Sequence, residues 1–316
     1  MEALLFLKTI LHNYLYFKKG VYLLITCIAT DMDGTLLNSQ EKISEANAAA
    51  IKKAQAAGLQ VVVATGRAYD EARHLLGEAG IKCPVISVNG AVVWDEEGKI
   101  VSSIPMSMPE FKQARMTLDK QQLHYEIYTN KGLYTKSAEV SVATLADIIL
   151  SAMPHLDKDR VIQQAKERFT LDYIVTVNDY DVLYDDPEIE IYKILVFSAE
   201  IDKLTSAGET IKSETTLAVT SSGHGNVEIT NKKAQKGIAL ETFVNERHLS
   251  LQHTMAMGDS YNDVSMFKKV GRPIAMGNAV QAIKDICGEV TLTNEENGVA
   301  HAILQVLEEN EAPKNN

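Results

Sequence analysis

Apolar residues in the first part of the chain form short continuous runs, each followed by a segment of helical periodicity. Runs rich in β-branched residues are typical of strands buried on both faces, as in a parallel sheet. The first run covers 21–30, and the second, "LQVVVAT", covers 59–65. A helix is predicted from the N-cap Ser44 to Gly58, and another over 70–79. Strands that alternate with helices in this way predict a doubly wound α/β sheet.

The same alternation returns near the C-terminus. Further strands are predicted at "PVISVNG" (84–90), "TMAMGD" (254–259), "PIAMG" (273–277) and "VTLT" (290–293). Helices are predicted to begin at Asn262, Ala279 and Gly298. One α/β sheet is therefore expected to contain both ends of the chain.

The middle of the chain has a different pattern. In "LHYEIYTNKGLYTKS" (123–137) the turn sequence "NKG" lies between two alternating runs, which indicates a β-hairpin. Helices are predicted over 111–122, 138–153 and 201–212, and strands within "IEIYKILVFS" (189–198) and "TTLAVTSSGHGNVEIT" (215–230). We therefore expect an α+β domain at 106–228, inserted into an α/β core made of 23–105 and 229–310.

The first 22 residues fit neither domain. Glu2, Lys8 and His12 interrupt the apolar positions, so the segment does not have the pattern of a signal peptide. Two interpretations stay open. The segment is a loosely docked amphipathic extension, or it lies outside the natural protein, since the codons for 18–20 would resemble a bacterial ribosome-binding site.

The composition narrows the classes of partner. The formal net charge is −11, which argues against nucleic acid, because phosphate backbones recruit basic surfaces. No stretch reaches the roughly 18 consecutive apolar residues that a membrane helix needs. The three cysteines are far apart and odd in number, as expected for buried thiols in the cytoplasm. The sequence leaves the oligomeric state open.

Four carboxylates follow predicted strands. Asp31 and Asp33 come after the first strand, and Asp259 comes after "TMAMG", with Asp263 four residues later. The carboxyl ends of parallel strands meet at one edge of a doubly wound sheet, where ligands bind. Carboxylates gathered there would repel one another unless a cation lay between them, and oxygen ligands suit Mg²⁺.

The sequence also contains donors for a phosphoryl group. Thr65 offers a hydroxyl, Gly66 an unobstructed N–H, Asn262 an amide and Lys236 a positive charge. Alone, each of these residues, and each of the four aspartates, is better explained as a turn former, a helix cap or a solvated side chain. Their joint occurrence favours a site for Mg²⁺ and phosphate. The roles of Arg67, Asn89 and His224 stay open.

These residues fall into four motifs: "DMDGT" (31–35), "ATGR" (64–67), "KG" (236–237) and "GDSYND" (258–263). In this order, with an insert between the second and third, they resemble the haloacid dehalogenase superfamily and its Cof-type phosphatases. The resemblance covers about 24–308. It implies a Rossmann-like core with an inserted α+β cap of the C2 type, which closes over the cleft and selects the substrate.

The resemblance also implies roles for single residues. Asp31 would be the nucleophile that forms an aspartyl-phosphate, and Asp33 the general acid and base. Mg²⁺ would be held by the Asp31 carboxylate, the Asp33 carbonyl oxygen and Asp259, with Asp263 supporting that shell. The phosphoryl oxygens would be bound by the N–H of Met32 and by the donors named above, which are Thr65, Gly66, Lys236 and Asn262.

The expected activity is a Mg²⁺-dependent phosphatase that acts on a small phosphorylated metabolite. Within the Cof-type group, the riboflavin-pathway intermediate 5-amino-6-(5-phospho-D-ribitylamino)uracil is a named candidate substrate. Two alternatives stay open: a phosphomutase of the same superfamily, and a ligand-binding protein on the same scaffold. The second would predict the loss of Asp31, Asp33 or Lys236, all of which are present.

Overall fold

The computed structural model describes residues 23–152, 157–168, 174–220 and 225–311. Its strands are β1 (Cys27–Thr30), β2 (Gln60–Ala64), β3 (Val85–Ser87), β4 (Val92–Trp94), β5 (Ile100–Ser103), β6 (His124–Thr129), β7 (Gly132–Thr135), β8 (Ile174–Thr176), β9 (Ile191–Phe197), β10 (Ala218–Thr220), β11 (Asn226–Thr230), β12 (Thr254–Gly258), β13 (Arg272–Ala275) and β14 (Glu289–Val290). Its helices are α1 (Glu45–Ala56), α2 (Tyr69–Glu78), α3 (Met108–Lys120), α4 (Ala138–Ala152), α5 (Lys158–Arg168), α6 (Ile201–Glu214), α7 (Lys236–Glu246), α8 (Val264–Phe267), α9 (Gln281–Cys287) and α10 (Gly298–Glu311). Within the described ranges, no helix combines the length and the apolar character that a membrane span requires.

The chain divides into two compact units, of which one is Ile104–Ala234 and the other contains the residues before and after it. The predicted insert, 106–228, ends inside β11, and this boundary was wrong. Strand β11 runs to Thr230 and pairs with β9 of the same unit. Asn231 also belongs there, because its side chain donates to the carbonyl oxygen of Pro105 at 2.8 Å.

The unit with both chain ends contains a sheet in the order β14-β13-β12-β1-β2-β3-β4-β5. Neighbours from β14 to β3 are parallel, and β4 and β5 are antiparallel. Ile28 packs in an apolar cluster with residues of α1, α2 and α10, whereas Cys27 and Ala29 pack with residues of α7 and α9. Helices cover both faces because alternate strand residues point to opposite sides. The predicted doubly wound α/β fold is confirmed.

The strand ends are aligned at one edge of this sheet. Thr30 on β1 lies opposite Val63 on β2 and Met257 on β12. The residues that follow these strands therefore leave the sheet on the same side. This alignment is what brings the predicted catalytic motifs together.

The inserted unit is built on a second sheet, in the order β10-β11-β9-β6-β7-β8. Its pairs are antiparallel except for β7 and β8. The predicted hairpin is confirmed, since β6 and β7 are joined by Asn130 and Lys131. Phe111 of α3, Ile211 of α6 and Ile194 of β9 share one apolar cluster, so this unit has a core of its own.

Local signals predicted some element boundaries and missed others. Ser44 caps α1 by accepting from the N–H of Asn47 at 3.1 Å, and Gly58 follows the helix with φ +86°, as predicted. The first strand begins at Cys27 rather than at residue 21, and the strand expected at 290–293 is only the short β14. Residues 1–22 and His224 lie outside the described residues.

Candidate active site

Asp31 follows β1 directly and is buried. Its main-chain N–H donates to the carbonyl oxygen of Met257 at 3.0 Å, which fixes the residue at the end of the strand. Its carboxylate oxygen Oδ1 accepts from the N–H of Met32 at 2.7 Å and lies 2.7 Å from Nζ of Lys236. Both contacts involve the same oxygen, Oδ1.

Lys236 begins α7, and only 1% of its surface is exposed. Its Nζ lies between Oδ1 of Asp31 at 2.7 Å and Oδ1 of Asp263 at 2.8 Å. Burial disfavours the charge of Lys236, but these two carboxylates outweigh it and raise its pKa. Burial and the charge of Asp263 raise the pKa of Asp31 well above its ordinary value, against the effect of Lys236.

Asp263 organises the turn that carries the fourth motif. Its Oδ2 accepts from the N–H groups of Asp259 and Ser260, both at 3.1 Å, while Oδ1 accepts from Lys236. The helix predicted from Asn262 is a 3₁₀ turn over Tyr261–Asp263 followed by the short α8. Asp263 is completely buried and uses both of its oxygens within the protein.

Asp259 completes a group of three carboxylates. Its Oδ1 accepts from the hydroxyl of Thr35 at 2.8 Å, and burial raises its pKa to about 6. Asp31, Asp259 and Asp263 each offer an oxygen, and these atoms lie within 4.8 Å of one another. Lys236 contacts only two of the three carboxylates, and the cluster has the oxygen-only donors that suit a hard divalent cation.

Gly34 makes room for this group. Its φ is +69°, and a Cβ atom there would lie 2.5 Å from Oδ2 of Asp259. A side chain would therefore meet both backbone strain and a clash with a carboxylate. The glycine of the first motif is explained by this close approach.

Asp33 and Arg67 form an ion pair that the sequence did not predict. Arg67 Nη2 lies 2.6 Å from Oδ1 of Asp33, and Nε lies 3.0 Å from both carboxylate oxygens. Burial opposes the charge of Arg67, but Asp33 outweighs it and raises its pKa. The sequence did contain a signal for this pair. Arg67 follows β2 as Asp33 follows β1, and these two strands are neighbours in the sheet.

The remaining predicted donors lie at the ends of β2 and β12. Thr65 is buried, and its Oγ1 accepts from the N–H of Arg67 at 3.1 Å. Asn262 is exposed, and its Nδ2 donates to Oδ1 of Asn89 at 3.1 Å. The ideal Cβ position of Gly66 lies 3.1 Å from the same oxygen. Asn89, whose role the sequence left open, thus lies between two of the predicted phosphate donors.

The chain is similar to known proteins over most of its length. The chain matches the family model of haloacid dehalogenase-like hydrolases over residues 28–303. It is 36% identical to phosphatase YwpJ of Bacillus subtilis strain 168 over 282 residues, which are 89% of this chain and 99% of that protein. It is 37% identical over 282 residues to the same organism's 5-amino-6-(5-phospho-D-ribitylamino)uracil phosphatase YwtE, covering 89% of this chain and 98% of YwtE.

A solved structure has the same fold. It is a haloacid dehalogenase-like hydrolase from B. subtilis, 36% identical, and the match covers 89% of this chain and 99% of that one with a TM-score of 0.79. The family model, the identity to YwpJ and YwtE and the shared fold all lead to one assignment. The chain therefore belongs to the haloacid dehalogenase-like hydrolases, and within them to the Cof-type phosphatases.

Proposed function

We propose that this enzyme is a Mg²⁺-dependent phosphatase that hydrolyses a small phosphorylated metabolite through an aspartyl-phosphate. The observation that carries the proposal is the buried Asp31, whose Oδ1 contacts the Met32 N–H and Lys236, beside Asp259 and Asp263. An aspartate that only formed a turn would be exposed and would not need a buried lysine and two further carboxylates beside it. A carboxylate held in one orientation among metal and phosphate ligands is suited to nucleophilic attack.

In the first step, Oδ2 of Asp31 forms a bond to phosphorus, and the bond from phosphorus to the ester oxygen breaks. The departing oxygen takes a proton from the carboxylic acid of Asp33, which becomes a carboxylate. In the second step, Asp33 takes a proton from a water molecule, which attacks phosphorus. The bond between phosphorus and Asp31 then breaks, and inorganic phosphate leaves with both carboxyl groups restored.

The ion pair with Arg67 bears on these two roles of Asp33. The second step begins with Asp33 as a carboxylate, and Nη2 of Arg67 lies 2.6 Å from its Oδ1 in the structure. For the first step, Asp33 must be protonated and must turn towards the leaving oxygen. More than half of its side chain, 53%, is exposed, so it has the space to leave Arg67. We therefore propose that the observed pair is the form of Asp33 that acts as base.

Mg²⁺ fits the oxygen donors of the carboxylate cluster. We propose that Asp31, Asp259 and the carbonyl oxygen of Asp33 hold the ion. Asp263 would position this shell through Lys236 and the N–H of Asp259, because both of its oxygens are already bonded. The bound ion would supply positive charge to the phosphoryl oxygens and orient them for attack.

The phosphoryl oxygens need donors that are fixed in advance. We propose Lys236, the Thr65 hydroxyl, the Gly66 N–H and the amide of Asn262 for this role. The N–H of Met32, which donates to Asp31 here, would be shared between Asp31 and the phosphoryl group.

The named candidate substrate is 5-amino-6-(5-phospho-D-ribitylamino)uracil. It is supported by YwtE, whose name records this activity and which is 37% identical to the chain over nearly its full length. YcsE of B. subtilis carries the same activity in its name and is 28% identical. We propose this phosphate ester, or one of similar size and polarity, as the natural substrate.

The test is phosphate release from this compound and from other metabolite phosphates, with Mg²⁺ and with excess EDTA. We expect release to require Mg²⁺, and Asp31→Asn to abolish both turnover and phosphorylation of the protein. Asp33→Asn should slow turnover by roughly 10²–10⁴-fold, the usual contribution of general acid–base catalysis. Full turnover in EDTA, or a phosphorylated residue other than Asp31, would overturn the proposal.

A further inference from the structure

The turn between β3 and β4 has an unusual backbone. Val88, Asn89 and Gly90 have φ values of +50°, +57° and +98° in succession. Left-handed conformations are uncommon for residues other than glycine, and a β-branched residue such as Val88 is strained there. Strain of this kind persists only where the surrounding structure imposes it. The contacts of the turn show what imposes it.

The turn touches the loops of the second and third motifs through its backbone. The N–H of Val88 donates to the carbonyl oxygen of Arg67 at 3.0 Å, and the N–H of Asn89 to that of Thr65 at 2.9 Å. A Cβ atom on Gly90 would clash with the carbonyl group of Gln235, the residue before Lys236. The turn is therefore packed between the loop of Thr65 and the start of α7.

The side chain of Asn89 extends these contacts to the fourth motif. Its Oδ1 accepts from Nδ2 of Asn262 at 3.1 Å and lies against Gly66. Because Asn262 is exposed, packing does little to select its side-chain rotamer. Its hydrogen bond to Asn89, which lies in a rigid turn, fixes that rotamer instead. An amide nitrogen has two hydrogens, so Asn262 can donate one to Asn89 and the other to a phosphoryl oxygen.

We propose that Asn89 is a positioning residue for the phosphate site, which holds the Asn262 amide in the orientation that binds the phosphoryl group. This inference rests on the proposed function, since it concerns the same site. Asn89 acts on the substrate through Asn262 and not by direct contact. The left-handed backbone of the turn places the side chain of Asn89 between Gly66 and Asn262.

The experiment is a double-mutant cycle with Asn89→Gly, Asn262→Ala and the double variant. Glycine accepts the left-handed backbone, so Asn89→Gly removes the side chain alone. The assays are kcat/KM for p-nitrophenyl phosphate and the affinity for inorganic phosphate measured by calorimetry, both with Mg²⁺. The matched control is Asn297→Gly, because Asn297 is also left-handed, with φ +61°, and follows the 3₁₀ turn over Asn294–Glu296, outside the proposed site.

We expect Asn89→Gly to lower both quantities about tenfold, because an Asn262 amide that is no longer oriented loses its hydrogen bond to the charged phosphoryl group. The double variant should be no worse than Asn262→Ala, and Asn297→Gly should match the wild type. Losses that multiply in the double variant would show that Asn89 acts independently of Asn262. That result, or an unchanged Asn89→Gly, would overturn the proposal.

If Asn89→Gly does not fold, Asn89→Asp replaces it, since aspartate keeps the acceptor oxygen. Asn262→Ala should then reduce kcat/KM in that background as much as in the wild type. Absence of this reduction would overturn the positioning role. A wild type that releases no phosphate from any ester would instead contradict the proposed function, so the two failures are distinguishable.

Discussion

Replacing Lys236 by methionine tests the electrostatic design of the site. Methionine keeps most of the buried volume and removes the positive charge between Asp31 and Asp263. Two buried carboxylates, 3% and 0% exposed, would then lose their shared cation. Breaking a buried ion pair in this way destabilises a protein by about 3–5 kcal/mol. We expect a loss of that size in the free energy of unfolding at pH 8 without Mg²⁺, measured by urea titration.

The pH dependence of this loss has a defined sign. The pKa of Asp31 is raised in the folded protein, so its ionised form disfavours folding at high pH. Lys236 is the cation that opposes the rise in the pKa of Asp31, so without it that pKa should rise further, and protonation of Asp31 as the pH falls should remove the repulsion. The loss should therefore shrink between pH 8 and pH 5. Mg²⁺ should stabilise the variant more than the wild type, because the proposed ion site in the folded state includes Asp31, which lacks its lysine partner in the variant.

The matched control is Lys269→Met, which removes a lysine from a surface pair with Glu241, where Nζ and Oε2 are 2.7 Å apart. Exposed pairs contribute about 0–1 kcal/mol, so this variant should stay close to the wild type. Turnover should fall by roughly 10²–10³-fold in Lys236→Met, as for the loss of one preorganised donor, and stay unchanged in the control. Equal stability of the two variants, or a loss that grows as the pH falls, would refute the reasoning.

Two further predictions concern other parts of the chain. Gly34→Ala should weaken Mg²⁺ binding, because the new methyl group displaces Asp259; an unchanged rise in Tm on adding Mg²⁺ would contradict this. Replacing 104–234 by a short linker should leave slow, Mg²⁺-dependent hydrolysis of p-nitrophenyl phosphate and abolish preference among metabolite phosphates, since the two units have separate cores. A folded, truncated protein that still ranks those esters as the intact one does would place specificity elsewhere.

The sequence predicted the layers of the core because the relevant signals are local. Buried β-branched runs, helix caps such as Ser44 and the stop at Gly58 each depend on a few neighbouring residues. The boundary of the inserted unit could not be predicted from such local signals. Strand β11 looks the same in sequence whichever sheet it joins, and only its pairing with β9 assigns it to the insert.

The chain by itself also determined which residues reach the candidate site, since a residue that follows a parallel strand must leave at the carboxyl edge. Tertiary structure decided how they pair there. Lys236 could bind any acid at that edge, and the packing of the start of α7 against Ser265 of α8 places it between Asp31 and Asp263. Arg67 likewise meets Asp33 because β1 and β2 are neighbours. Such contacts depend on distances of a few ångströms between residues far apart in sequence, which periodicity and local propensity do not encode.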